Sequence, residues 1–420
     1  MPKRVGMLFL TVYLFILMFD FTSSDELFPH FIEMLIKPYT NFWNWMVPWT
    51  GSHILHLREP ITIMPNGSGD TTFNYVMQLL WVVFAFVIAL VWALLDRKRR
   101  SYDRLYHWTR IFARYYFAYT LFTYGFIKIM WLQMPFPNMY RLTETYGDSS
   151  PMGLAWTFFG YSRGYSIFMG TAEALAGALL LFRRTTLLGS LIAMVVMVNV
   201  VAVNFAFDVP VKIFSTNLLG LAVFLAAHDL ERLVHFFFLG KITPSPAPDM
   251  PFQTRGNRIA RPLLKLLFIG FIIYSAILSD LSAVKARGDR TLNTPLYGIY
   301  NTESFIKNGV AVPPLTTDSV RWKQMIINYP TYARTTTMAD RKDWWRLKLD
   351  TMQRTARFTA LKDSTDIVSF QYSKPDKEHL QLKGVFRKDS LLIYLKRMDI
   401  DSFKLVSRGF HWVNEYPDNQ

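Results

Sequence analysis

Seven stretches of this chain are apolar over almost the length needed to cross a bilayer, and that repetition decides most of what it can fold into. A helical span needs about 20 mostly apolar residues. The segments 5–21, 75–95, 108–131, 165–182, 187–207, 213–228 and 263–281 come close. Within lipid every backbone polar group must be satisfied inside the segment, so each run reads as a helix. Composition agrees, since only 18% of the 420 residues are charged, where a soluble domain carries about a quarter. The reading is a mainly α membrane protein with about seven transmembrane helices. A strand-rich domain follows from residue 285.

The first run begins after Met1-Pro2-Lys3-Arg4 and ends in Met18-Phe19-Asp20-Phe21. A signal peptide would end in small residues at a cleavage site, so an uncleaved anchor is expected. Orientation follows from the basic residues of the loops. With the N-terminus in the cytoplasm, segments 1–4, 96–110, 183–186 and 229–262 hold fifteen Lys and Arg, against five in 22–72, 132–163 and 208–212. Arg97-Lys98-Arg99-Arg100 and Arg183-Arg184 are the strongest anchors. The C-terminal domain is therefore expected outside the cytoplasm, with the spans in a cytoplasmic (inner) membrane.

The chain then divides into a two-span segment 1–107, a four-helix core 108–238, a Pro-rich basic cytoplasmic linker 239–262, a seventh span 263–284 and an extracytoplasmic domain 285–420. Pro29 and Pro38 break the segment 26–49, and Trp43, Trp45 and Trp49 suit the headgroup layer. It reads as an interfacial outer loop. Residues 132–163, with Pro135, Pro137, Gly147 and Pro151, read as an ordered loop over the bundle. In the last domain 345–350, 368–372 and 379–383 alternate at period two. The unbroken apolar run 391–395 predicts a strand buried on both faces. The sum is an antiparallel meander, either a small barrel or a curved sheet. The mixed polar and aromatic segment 408–417 predicts a packed terminal segment in preference to a binding groove.

Absent residue types narrow the chemistry. There is no cysteine, which excludes disulfides and thiolate chemistry within the chain. No histidine lies deep in a span, so a transmembrane histidine pair holding haem is excluded. His411 and Glu415 alone make a poor metal signature, and no metal site is expected. The net charge of +15 is explained by basic loops meeting anionic lipid. Without a recognisable motif it does not indicate nucleic acid.

Ionisable residues within spans are costly and mark function by default. Glu173 lies mid-way along the fourth span, and Gly170, Ala176 and Gly177 fall within about 60° of it on a helical wheel. Small residues on that face let a neighbouring helix approach, so Glu173 is expected to face protein. Its alternative is a merely structural buried Glu. Lys128, late in the third span, either snorkels to the interface or reaches Glu173. Asn199, Asn204, Asp208 and Asn217 lie towards the outer side, and with Lys128 and Glu173 they outline a polar pocket opening away from the cytoplasm. Ordinary helix-to-helix hydrogen bonding is the simpler alternative.

Gly125-x-x-Lys128, then Glu173-x-x-x-Gly177-x-Leu179-Leu180-Leu181, then Arg183-Arg184-Thr185 and Leu188-Gly189, resemble the DoxX-like family of four-helix membrane proteins over about residues 110–233. The flanking parts look like larger bacterial versions with an added outer domain ending in a sequence similar to RGFHWVNEYP. The resemblance implies a membrane subunit or assembly partner of an envelope complex, redox- or quinone-linked in some relatives, with a protein partner met through the outer domain. Quinone is the one cofactor it suggests. The alternative is a transporter or lipid-handling protein using the pocket around Glu173.

Overall fold

A computed structural model of the chain describes residues 2–20, 30–63, 67–99, 101–241, 262–271, 274, 281–285 and 295–418. In chain order its helices are α1 (Pro2–Met18), α2 (His30–His53), α3 (Thr72–Leu95), α4 (Asp103–Ile129), α5 (Met139–Leu142), α6 (Pro151–Tyr161), α7 (Arg163–Leu180), α8 (Thr186–Ala206), α9 (Lys212–Ala227), α10 (Leu230–Phe237), α11 (Pro262–Phe271) and α12 (Lys404–Ser407). The chain forms two compact units: Met1–Gln133 with Gly164–Leu278, and Met134–Arg163 with Ser279–Gln420.

In the first unit, α3 and the segment Arg183–Ala206 containing α8 are long and apolar enough to cross a membrane. The pair α9–α10 meets the same test jointly but is bent by 71°. These helices support a membrane protein. The remaining sequence-based spans do not meet that test, for visible reasons. At 17 and 16 residues, α1 and α9 alone fall short of about 20. Charges interrupt α4 and α7. Of the seventh run, α11 and residues 274 and 281 are described; the rest lies outside the described residues, as does the linker from 242 to 261.

Of the segment 26–49, expected to be a loop broken by Pro29 and Pro38, residues 26–29 lie outside the described residues and the rest belongs to a continuous helix, α2, which runs through Pro38 and Pro48. Each proline removes one backbone hydrogen bond, and packing against α3 offsets the loss. Trp43 and Val47 are buried, and the Trp43 ring lies 6.4 Å from Trp81 and 5.8 Å from Phe84. Trp45 and Trp49 remain exposed and stack on each other. The core continues through Phe117, Leu121, Leu180, Leu221 and Leu225.

The second unit is an antiparallel β-barrel. Its strands are β1 (Gly298–Lys307), β2 (Val310–Ala311), β3 (Trp322–Tyr329), β4 (Tyr332–Thr337), β5 (Lys342–Asp350), β6 (Thr355–Ala360), β7 (Ile367–Ser373), β8 (His379–Phe386) and β9 (Asp389–Met398). From β3 to β9 each strand pairs with the next, and β1 pairs with both β3 and β9. That closes the meander and decides between barrel and curved sheet. Closure also removes the open edges that invite aggregation. Along β5, Trp345 and Leu347 point inward while Trp344 and Arg346 point out. The interior is filled by rings, with Phe358 at 5.6 Å from Phe370 and 6.2 Å from Trp322. Thr335 Oγ1 accepts the Trp345 indole N–H at 2.8 Å.

Three expectations are corrected here. The run 391–395 is not buried on both faces: Leu391, Ile393 and Leu395 are buried while Tyr394 is exposed. A barrel wall has one packed side, and the outer apolar residues stay outside. Residues 134–163 do not belong with the helices but with the barrel. Met139 of α5 covers Ile299 and Ile326, which are paired neighbours on the outer face of β1 and β3. Finally, the terminal segment is not packed. Phe410, Trp412, Val413 and Tyr416 are exposed, while the polar groups around them satisfy one another. Asp418 pairs with Arg408 at 2.6 Å and with Lys404, and Arg408 Nη2 donates to Asn414 Oδ1 at 2.9 Å.

Candidate functional site

Lys128 occupies the last turn of α4, three residues beyond Gly125, and Glu173 lies three residues beyond Gly170 on α7. A Cβ at Gly125 would lie 2.8 Å from the Gly170 carbonyl oxygen, and one at Gly170 would collide with that of Gly125. The two helices thus touch backbone to backbone at matched glycines, one turn before each charged residue. The Ser166 hydroxyl donates to the Lys128 carbonyl at 2.9 Å and fixes the same crossing. Held this way, Lys128 Nζ lies 2.8 Å from Glu173 Oε2. The two residues are 7% and 3% exposed. The ammonium also lies 5.5 Å from the centre of the Tyr124 ring, a favourable cation–π distance. Buried charges persist only when paired, and here each neutralises the other.

A second polar group joins three helices. The Tyr13 hydroxyl donates to Asn217 Oδ1 at 2.5 Å, and Asn217 Nδ2 donates to Gln78 Oε1 at 3.2 Å. Gln78 Nε2 closes the ring by donating to Tyr13 at 2.5 Å. A third lies at the start of α9. The Asp70 carboxylate accepts the backbone N–H groups of Lys212 and Ile213 at 2.7 and 3.0 Å. It caps a helix N-terminus, where an anion is favoured.

Among curated proteins, the chain is 36% identical over 126 residues to an uncharacterised protein of Bacillus subtilis (strain 168), YwoB. The match takes in 30% of this chain and 79% of the relative. The chain belongs to the YwoB family. No family profile matches it, and no solved structure does.

In this member of the YwoB family the six sequence-flagged residues fall into separate contacts. Glu173 and Lys128 pair with each other. Asn217 bonds to Tyr13 and Gln78. Asp208 is exposed and pairs with Lys212 at 2.8 Å. Asn204 is buried, and its Nδ2 has no hydrogen-bond partner among the described residues. Asn199 is exposed on α8. Sequence reasoning missed Tyr13, Gln78 and Asp70. An amide within so apolar a helix as α3 was the available signal for Gln78. Tyr13 lies mid-way along the 5–21 run, where a phenol hydroxyl in need of a hydrogen-bond partner was the available signal.

Proposed function

We propose that this chain is a DoxX-like multi-pass protein of the bacterial inner membrane, acting as a membrane subunit or assembly partner of an envelope complex. The exposed aromatic segment that follows the barrel strands carries this reading. Phe410, Trp412 and Tyr416 are 79%, 91% and 85% exposed, on a segment held by the ion pairs of Asp418 and by the Tyr161 hydroxyl, which donates to the Arg408 carbonyl at 2.9 Å. Aromatic anchors on a fixed loop are what protein interfaces use for affinity. The transporter reading needs the polar residues of the helices to share one open space, and their contacts are instead separate and largely mutual. It has less support.

Quinone chemistry fits these residues poorly. A quinone oxygen needs a free donor beside an open cleft, whereas Lys128 is committed to Glu173 where two backbones meet. No redox step is assigned to this chain. The seven-span arrangement, with the N-terminus inside and the barrel outside, is supported by the distribution of Lys and Arg. Reporter fusions after Arg100 and after Arg290 should report opposite sides of the membrane. Cytoplasmic signals from both would overturn the orientation.

The docking role is tested by placing a photo-crosslinking amino acid at position 412 in native membranes, with position 352 as control. Met352 is 95% exposed but lies in the β5–β6 turn. A discrete protein adduct from 412, absent from 352, is expected. Adducts to lipid alone would remove the partner.

A further inference from the structure

A cavity of about 360 Å³ opens on the outer wall of the barrel unit, between residues 135–157 and strands β4 and β5. Arg334 forms part of its wall. Its neighbours Ala333 and Thr335 are fully buried on the other side of β4, and Arg334 itself, on the outer side, is only 5% exposed. One guanidinium nitrogen, Nη2, donates to Thr143 Oγ1 at 2.8 Å. The Nε–H has no acceptor among the described residues.

Among the described residues Arg334 has no carboxylate partner. The nearby Glu144 is held by Arg141, whose guanidinium lies so close to α6 that a Cβ at Gly153 would be 2.5 Å from it. Aromatic faces support Arg334 in place of a counter-ion, with its Cζ 5.2 Å from the Tyr140 ring and 5.9 Å from that of Trp344. The Tyr140 hydroxyl is buried without a well-formed hydrogen bond, although the Asn328 backbone approaches it. Burial pushes the Tyr140 hydroxyl up to about 12 and draws the Arg334 guanidinium below its usual range, and arginine remains charged regardless.

A desolvated guanidinium with no paired counter-charge, and with the Glu144 carboxylate acting on it only at longer range, is expensive, and a ligand that supplies the pair removes that cost. We propose that this cavity binds a small organic monoanion, its carboxylate on Arg334 and a flat apolar body against Trp156 and Trp344. Among the described residues of the wall Arg334 is the charge without an ion-pair partner, since Arg141 and Glu144 pair with each other, and the wall is left with a net charge of +1. A single negative charge therefore matches it, and a doubly charged phosphate does not. The planar guanidinium suits a carboxylate. The volume lies at the lower end of small-ligand sites, which run from about 300 to 1,000 Å³.

The test is calorimetric titration of the full chain in nanodiscs with 2-naphthoate, against empty nanodiscs. Binding should be saturable, with 2-naphthol at least about tenfold weaker and inorganic phosphate not competing. Arg334→Lys keeps the charge but loses the planar fork, and should weaken binding at least about tenfold. Thr157→Trp fills the cavity from α6, leaves Arg334 in place and should abolish binding. If Arg334→Lys does not fold, Thr157→Trp and the naphthol comparison decide. Absence of naphthoate binding, undiminished binding in Thr157→Trp, equal affinity for naphthol, or competition by phosphate would each overturn the proposal.

Discussion

Lys128→Met alone should damage the protein more than Lys128→Met combined with Glu173→Met. The single change leaves a carboxylate buried between α4 and α7 with no counter-charge, at a cost of about 3–5 kcal/mol. The double change removes both charges and fills the same space with unbranched apolar side chains. Replacing a whole buried pair in this way is often neutral or stabilising. The measurement is the fraction of detergent-solubilised protein that still elutes as a single species after heating, for wild type, both single variants and the double. The singles should lose most of it at temperatures the double survives. Singles as stable as wild type would mean the 2.8 Å pair does not form. The double variant also separates scaffold from function. If it folds and still yields the adduct from position 412, the pair only joins helices. If it folds and the adduct is lost, the charges themselves matter to assembly.

Glu173 was legible because a carboxylate in an apolar run stands out, and because Gly170 and Gly177 on the same face declared a close helix contact. Its partner was not, since 45 residues separate it from Lys128 and snorkelling explains a lysine near a span end equally well. The barrel strands were legible from alternation along 345–350 and 368–372. Closure was not, because it depends on β1 meeting β9 across the whole domain. The helix α2 was misread by giving prolines more weight than packing. Trp43 against Trp81 is a tertiary contact that no local pattern announces. Arg334 was invisible for a related reason. A charged residue on a strand faces water by default, and what buries this one arrives from 191 residues earlier in the chain.

That same covering segment governs what the barrel should do by itself. A fragment spanning 295–418 has a closed ladder and a filled interior, with Phe305, Phe358, Phe370, Leu382 and Ile393 at 2% exposure or less. It should fold into sheet without the helices. Yet it takes Met139 and Tyr140 away from the cluster in which Ile299 and Ile326 are 0% and 1% exposed, leaving those two only their partly buried neighbours Tyr297, Met398, Ile400 and Phe403. Burying one such side chain is worth about 1.5–3 kcal/mol, so losing Met139 and part of the cover over the two isoleucines costs on the order of 3 kcal/mol. A second fragment carrying 134–163 through a flexible linker restores that cover, along with the hydrogen bond from the Met139 N–H to Asn328 Oδ1 at 3.3 Å. Urea unfolding followed by circular dichroism should place the linked fragment clearly above the bare one, and light scattering should find the linked fragment monomeric and the bare one self-associating. Equal midpoints and two monomers would remove residues 134–163 from the barrel unit. A bare fragment with no sheet at all, beside a folded linked one, would mean that the outer cover is needed for the barrel to close.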